Sequence, residues 1–284
     1  MKKSRAAGFA AITAGYIIAA AVGIVVFRLL EKSVPPVLGF FIADIAATVA
    51  IYIMSLITDN ASFYDPYWSV QPIVILPLAA AYFRSPGCAV IIAVVAFWAV
   101  RLTANWAYTF MGLSFMDWRY QQIKEKTKKL YPLVNFAGIQ MVPTLIVFAC
   151  ILPAIKFFEL HAAFDPKMLI GAAICVFAAV LQLISDIQMH TYRKNRTTPF
   201  ISTGLWKYSR HPNYLGEILM WWGLYICVVL AEPSLWIYGF GALANTLMFL
   251  FISIPLADGR QSRKEGFAEY KKRTRMLLPI KKKA

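Results

Sequence analysis

The sequence predicts an all-α, polytopic membrane helix bundle of about eight transmembrane helices, or seven if a short third segment does not cross. Three observations carry this. Of 284 residues, 60% are hydrophobic and only 15% charged, against roughly a quarter charged in a soluble domain. The apolar residues gather near 8–30, 37–58, 70–84, 88–110, 134–158, 168–190, 213–231 and 234–256, and most of these segments can span ~30 Å of hydrocarbon. Lys and Arg sit between the segments in the alternation that membrane orientation requires.

The start "MKKSRAAGFAAITAGYIIAAAVGIVVFRLL" has a basic head, but its apolar run is longer than a signal-peptide core and predicts a first transmembrane helix. The second segment is apolar except for Asp44, which reads equally as a paired structural carboxylate and as a functional one. The following loop, "TDNASFYDPYWSVQP" (58–72), has no Lys or Arg but holds Asp59, Asp65 and four aromatics, the composition of a pocket lip. The third segment is short, and charge decides its reading. With eight spans and a cytosolic N-terminus, Lys2, Lys3 and Arg5, five basic residues in 111–132, five in 191–212 and ten after 257 are all cytosolic, 23 of 29. A re-entrant third segment would put the last three groups across the membrane from the first. Both termini are therefore expected in the cytosol. No Gly/Ser- or Pro-rich linker interrupts the chain, so 1–284 reads as one domain.

Several functions are disfavoured. The net charge of +15 follows membrane orientation and gives no reason to invoke nucleic acid. Cys88, Cys150, Cys175 and Cys227 lie in apolar segments with no CxxC, and three histidines lack HxxxH spacing, so neither a disulfide framework nor a metal site is indicated. GxGxxG after a strand, a P-loop and GxSxG are all missing. A ligand must bind between helices.

Ionisable groups inside spans usually face a bundle interior. Arg101, Asn105 and Tyr108 share one helical face, and with "DWRY" (117–120), which brings Arg119, they could receive an anionic ligand from the cytosol. A snorkelling arginine is the plainer alternative. Gln182, Asp186, His190 and Arg193 form a polar stripe in which Asp186 could accept from a ribose hydroxyl or an amide and Arg193 could grip phosphate, the alternative being an interhelical salt bridge. In "SRHPNYLGE" (209–217), Pro212 suits the first helical position and leaves the amides of 213–215 for an anion. Asn213 and Glu217 share a face, Tyr214 turns to the next, and Arg210 is placed toward phosphate. Past the last span, Arg260 and Arg263 are near enough to close a pocket, while much of the basic tail suits an anionic leaflet.

"TGLWKYSRHPNYLGE" (203–217), with "SD" at 185–186 and Arg193 before it and "FAEYKKRTRMLLP" (267–279) after it, resembles the C-terminal half of the steroid 5-alpha-reductase family, especially a bacterial branch grouped with it. The likeness is strong over about 180–284 and faint before. It implies a reductase in a bacterial inner membrane that takes NADPH from the cytosolic side and adds hydride to a double bond conjugated to a ketone in a lipophilic, steroid-like or isoprenoid substrate. By that resemblance Gln182, Asp186, Arg193, Tyr208, Asn213, Tyr214 and Glu217 line the cofactor pocket and Arg101 closes its other side. Asn105, Arg119, Arg210, His211 and Arg263 complete the expected set. The family's catalytic carboxylate falls on Asp65. Its tyrosine, three before Arg101, is here Trp98, leaving Tyr64, Tyr67 or Tyr108 to substitute.

A looser version of the motif occurs in isoprenylcysteine carboxyl methyltransferases, so S-adenosylmethionine is the alternative cofactor. NADPH carries more negative charge, and Arg101, Arg119, Arg193, Arg210 and Arg263 favour it. A transporter or lipid-binding protein is the non-enzymatic alternative, although transport predicts two symmetric halves with broken helices. The expected partners are a lipophilic small molecule and membrane lipids.

Overall fold

The computed structural model describes residues 4–280; Lys2, Lys3 and the last three lysines lie outside the described residues. Within them the chain is helical, with no strand. In order it forms α1 (Arg5–Leu30), α2 (Pro36–Ile57), α3 (Tyr67–Phe83), α4 (Cys88–Thr109), α5 (Trp118–Thr127), the single turn α6 (Tyr131–Val134), α7 (Val142–Glu159), α8 (Met168–Lys194), α9 (Pro212–Ala231), α10 (Phe240–Met248), α11 (Ile254–Gln261) and α12 (Phe267–Arg273). π-helical turns at Asn135–Met141 and Phe249–Ser253 join α6 to α7 and α10 to α11.

Seven helical stretches among the described residues are long and apolar enough to cross a membrane: 5–30, 36–57, 88–109, 118–159, 168–194, 212–231 and 233–261. The short third segment is α3, 17 residues containing Pro72 and Pro77. It nevertheless runs from one end of the bundle to the other. The turn before it is tied to the segment after α4, where Asn60 Nδ2 donates to Leu113 O and Phe115 O, both at 2.8 Å. The turn after it meets the α7–α8 loop, where a Cβ on Gly87 would lie 2.6 Å from Ala162 O. These contacts place 58–66, 110–131, 195–211 and 258–280 at one end, rich in Lys and Arg, together with Arg5, whose Nη2 donates to Ala107 O.

The main core lies where α3, α4, α7, α8 and α9 meet, around Trp98, Phe157, Phe158, Met168 and Trp221. α8 and α9 share the most extensive contact. A Cβ on Gly171 would sit 2.2 Å from Cys227 N, and one on Gly216 would sit 2.3 Å from the Gln182 side chain. Such small-residue contacts let transmembrane backbones pack tightly, and here they bring Gln182 against Glu217. α1 is peripheral, leaning on α2 and presenting Ile17, Val25 and Leu29 outward.

Candidate functional site

The polar stripes expected on α4, α8 and α9 converge. Glu217, buried on α9, accepts from Trp98 Nε1 at 3.0 Å, Gln182 Nε2 at 2.6 Å and Trp221 Nε1 at 3.0 Å. Trp98 thus holds a carboxylate. Arg101, also buried, donates through Nη1 to Asp186 Oδ2 at 2.8 Å. Its Nε and Nη2, together with Gln182 Oε1, Asn213 Oδ1 and both side-chain polar atoms of Asn245, are buried without a hydrogen-bond partner among the described residues.

On the outer side of Arg101 a groove of about 560 Å³ runs between α4 and α8, walled by Phe97, Val100 and Leu183. Asn105 and His190 meet across it at 2.7 Å, and Tyr108 packs on the His190 ring at 4.8 Å while remaining 56% exposed. Arg193 lies exposed one turn beyond.

The "SRHPNYLGE" residues divide in two. Glu217 and Asn213 turn into the bundle, whereas Arg210 and His211 bind the C-terminal segment. Arg210 Nε and Nη2 fork onto Asp258 at 3.3 and 3.0 Å, its Nη1 reaches Thr274 O at 2.7 Å, and His211 Nε2 meets Asp258 Oδ1 at 3.0 Å. Arg210, expected toward phosphate, is thus occupied by a carboxylate of its own chain. The amide of Leu215 is likewise taken, by His211 O. Tyr214 stacks on His211 and Phe249. Tyr208 is 40% exposed, and Arg263 is exposed. Near Arg263, burial and the neighbouring Arg196 and Arg260 guanidiniums hold the Lys264 ammonium below its usual range.

The three expected catalytic residues do not form one group. Asp65 accepts from Tyr120 Oη at 2.8 Å, a partner in "DWRY" that sequence reasoning did not assign to it. The same segment closes the turn further, Asp117 N donating to Ser62 Oγ while Arg119 forks back onto Asp117 at 2.8 and 3.2 Å. Burial pushes the Asp65 carboxyl up to about 6, with the Arg119 charge opposing. Tyr64 is instead bonded to Thr144 at 2.9 Å, and burial pushes its phenol up. Tyr108 belongs to the α4–α8 groove.

A second carboxylate–tyrosine pair lies inside the bundle. Asp44 Oδ1 accepts from Tyr67 Oη at 2.9 Å, and its Oδ2 accepts from Gln71. Gln71 Oε1 is buried without a partner among the described residues. All three side chains line a cavity of about 410 Å³ between α1, α2 and α3, otherwise walled by residues such as Gly23, Phe27, Phe40, Val74 and Leu78. Tyr67 and Gln71 are one helical turn apart, a spacing hidden by reading 58–72 as loop.

Among the described residues no group of three or more His, Cys, Asp and Glu side chains could hold a metal ion. No solved structure matches the chain. A curated relative, the uncharacterized protein C594.04c of Schizosaccharomyces pombe, is 27% identical over 237 residues, covering 71% of this chain and 67% of the relative. A family model described as "Protein of unknown function (DUF1295)" matches residues 51–274, which include Tyr67, Gln71, Arg101 and the whole of α8 and α9, and the chain belongs to that family.

Proposed function

We propose that this protein is a membrane-embedded, NADPH-dependent reductase that saturates a double bond conjugated to a carbonyl in a lipophilic substrate. The observation that carries the reading is the Asp44–Tyr67 pair, 2.9 Å apart in an otherwise apolar cavity large enough for a lipid-like molecule. With Asp44 protonated and donating to Tyr67 Oη, the Tyr67 O–H is released to a carbonyl oxygen and can stabilise the charge that develops there, where little water competes. Gln71 fixes Asp44 in place by donating to its second oxygen.

The residues between α4, α8 and α9 fit a polar cofactor. Arg101, Gln182 and Asn213 carry buried polar atoms without a partner, a condition that costs about 1–3 kcal/mol per group unless a ligand or water relieves it. Those atoms would hold polar parts of the cofactor, and Arg119, Arg193 and Arg263 would supply positive charge toward its phosphates. Glu217, with three N–H donors already on its carboxylate, orients Trp98, Gln182 and Trp221. NADPH, if bound there, would supply a hydride equivalent; the Tyr67 hydroxyl would meet the charge developing on the carbonyl oxygen, and the Asp44–Tyr67 pair, reprotonated from water, would supply the proton of the saturated product.

Purified protein in detergent should show saturable NADPH binding, and steroid or isoprenoid enones should accelerate NADPH oxidation. Tight S-adenosylmethionine binding with no response to NADPH would replace this reading with a methyltransferase. The two acids around Arg101, half-buried Asp186 and buried Glu217, make that the relevant competitor, since a sulfonium is a cation.

A further inference from the structure

The Asp44 cavity has a second charged end. Besides Asp44, the charged residues lining it are Arg28 and Arg84. They sit at the opposite end of the bundle from the basic segments, where Lys and Arg are scarce: among the described residues 18 of 24 belong to the basic-end segments. Arg28 shares its charge with Glu31 at 3.1 Å. Arg84 makes no side-chain hydrogen bond or ion pair among the described residues, so one positive charge is left over at this mouth.

The backbone adds an independent observation. Arg84 caps the C-terminal end of α3 with φ 49° and ψ 44°. That left-handed conformation is usual for glycine at a helix end and unfavourable by ~1 kcal/mol or more for a residue with a Cβ. Arg84 is exposed at the cavity mouth, where its unpaired side chain can meet an anion. Arg84 follows Gln71 by thirteen residues along α3, or about 20 Å at ~1.5 Å per residue. The cavity is therefore a slot with hydrogen-bonding groups at one end, apolar walls between, and a cation at the other.

We propose that this cavity selects amphiphiles that are anionic at the end remote from the reacting carbonyl: a long-chain or fused-ring lipid ketone bearing a carboxylate or phosphate about 20 Å away, held by Arg84 with Arg28 beside it. The assignment rests on reading the Asp44 cavity as the substrate site, but it can be tested without NADPH. Wild-type protein in nanodiscs would be loaded with a fluorescent polyene fatty acid, which would then be displaced by a long-chain ω-oxo fatty acid, its methyl ester, and the matching ω-oxo alkyl phosphate.

The acid and the phosphate should each displace the probe about 5–10-fold more effectively than the neutral ester, and added salt should shrink that preference. Whichever of the two is tighter names the anion. Arg84→Gln should abolish the preference, Arg84→Lys should restore much of it, and Tyr67→Phe should weaken acid and ester by the same factor. An ester as effective as the acid, a preference that survives Arg84→Gln, or no displacement by any of the three would overturn the proposal. If the preference holds but no enone ever accelerates NADPH oxidation, the reductase reading fails and this one stands. Turnover of neutral enones without the preference gives the reverse.

Discussion

Two carboxylate–tyrosine pairs, Asp44–Tyr67 and Asp65–Tyr120, have nearly the same hydrogen bond, 2.9 and 2.8 Å, and very different surroundings. Asp65 sits in the turn between α2 and α3, braced by Ser62, Asp117 and Tyr120 with the Arg119 charge nearby. Asp44 lies within α2, bonded to two α3 side chains, and opens onto a lipid-sized cavity. Hydrogen-bond geometry alone does not separate a structural pair from a catalytic one. What separates them is whether a substrate can reach the shared proton and whether water and cations already serve it. By that measure Asp65 ties the "DWRY" segment over the end of α3, and Asp44 is the acid of the proposed reaction.

The largest expected effect tests this division. Asp44→Asn should lower enone turnover by about 10²-fold or more with NADPH affinity within a factor of two, whereas Asp65→Asn should cost less than tenfold. Equal losses would break the distinction. A third carboxylate sharpens it in stability. Glu217→Ala leaves two indole N–H groups and an amide unpaired in a dry core and should cost about 3 kcal/mol or more, read as a lowered thermal midpoint in detergent. Asp44→Ala, whose partners can reach a cavity, should cost about 1 kcal/mol.

The smallest effect is in pH. The Asp65 carboxyl is held up near 6, above the ordinary ~3.9, so its contribution to stability is full below about 4 and is lost as pH rises through about 6. Between pH 5 and pH 7 the wild-type thermal midpoint should fall by about 2–4 °C more than that of Asp65→Asn. A larger fall in the variant would contradict the burial that raises this group.

The bundle was legible in the sequence because membrane spans announce themselves by length and hydropathy, and basic loops fix their order. The short α3, with its two prolines, is the exception: it is helical but not among the seven stretches long and apolar enough to cross a membrane. Glu217, Gln182, Asp186 and Arg101 were legible as costly polar groups on apolar helices. Their pairing was not, because helical spacing gives faces within one helix and says nothing about which faces meet. Trp98 looked like a lost proton donor and is a hydrogen-bond partner of Glu217. Arg210 and His211 looked like ligand groups because their partner, Asp258, lies 48 and 47 residues away. Tyr67 and Gln71 fell inside a stretch whose prolines and aromatics read as loop, although both lie on α3.

The central claim is that the carbonyl is polarised at Tyr67. It is tested most directly by deuteride transfer from deuterated NADPH to a lipophilic enone, measured by mass spectrometry of the product from Tyr67→Phe and Tyr120→Phe proteins that bind NADPH equally. The account expects the Tyr67 variant to lose transfer by about 10²-fold or more and the Tyr120 variant to stay within tenfold of wild type. Transfer that survives loss of the Tyr67 hydroxyl and vanishes with that of Tyr120 would contradict it and return the chemistry to Asp65.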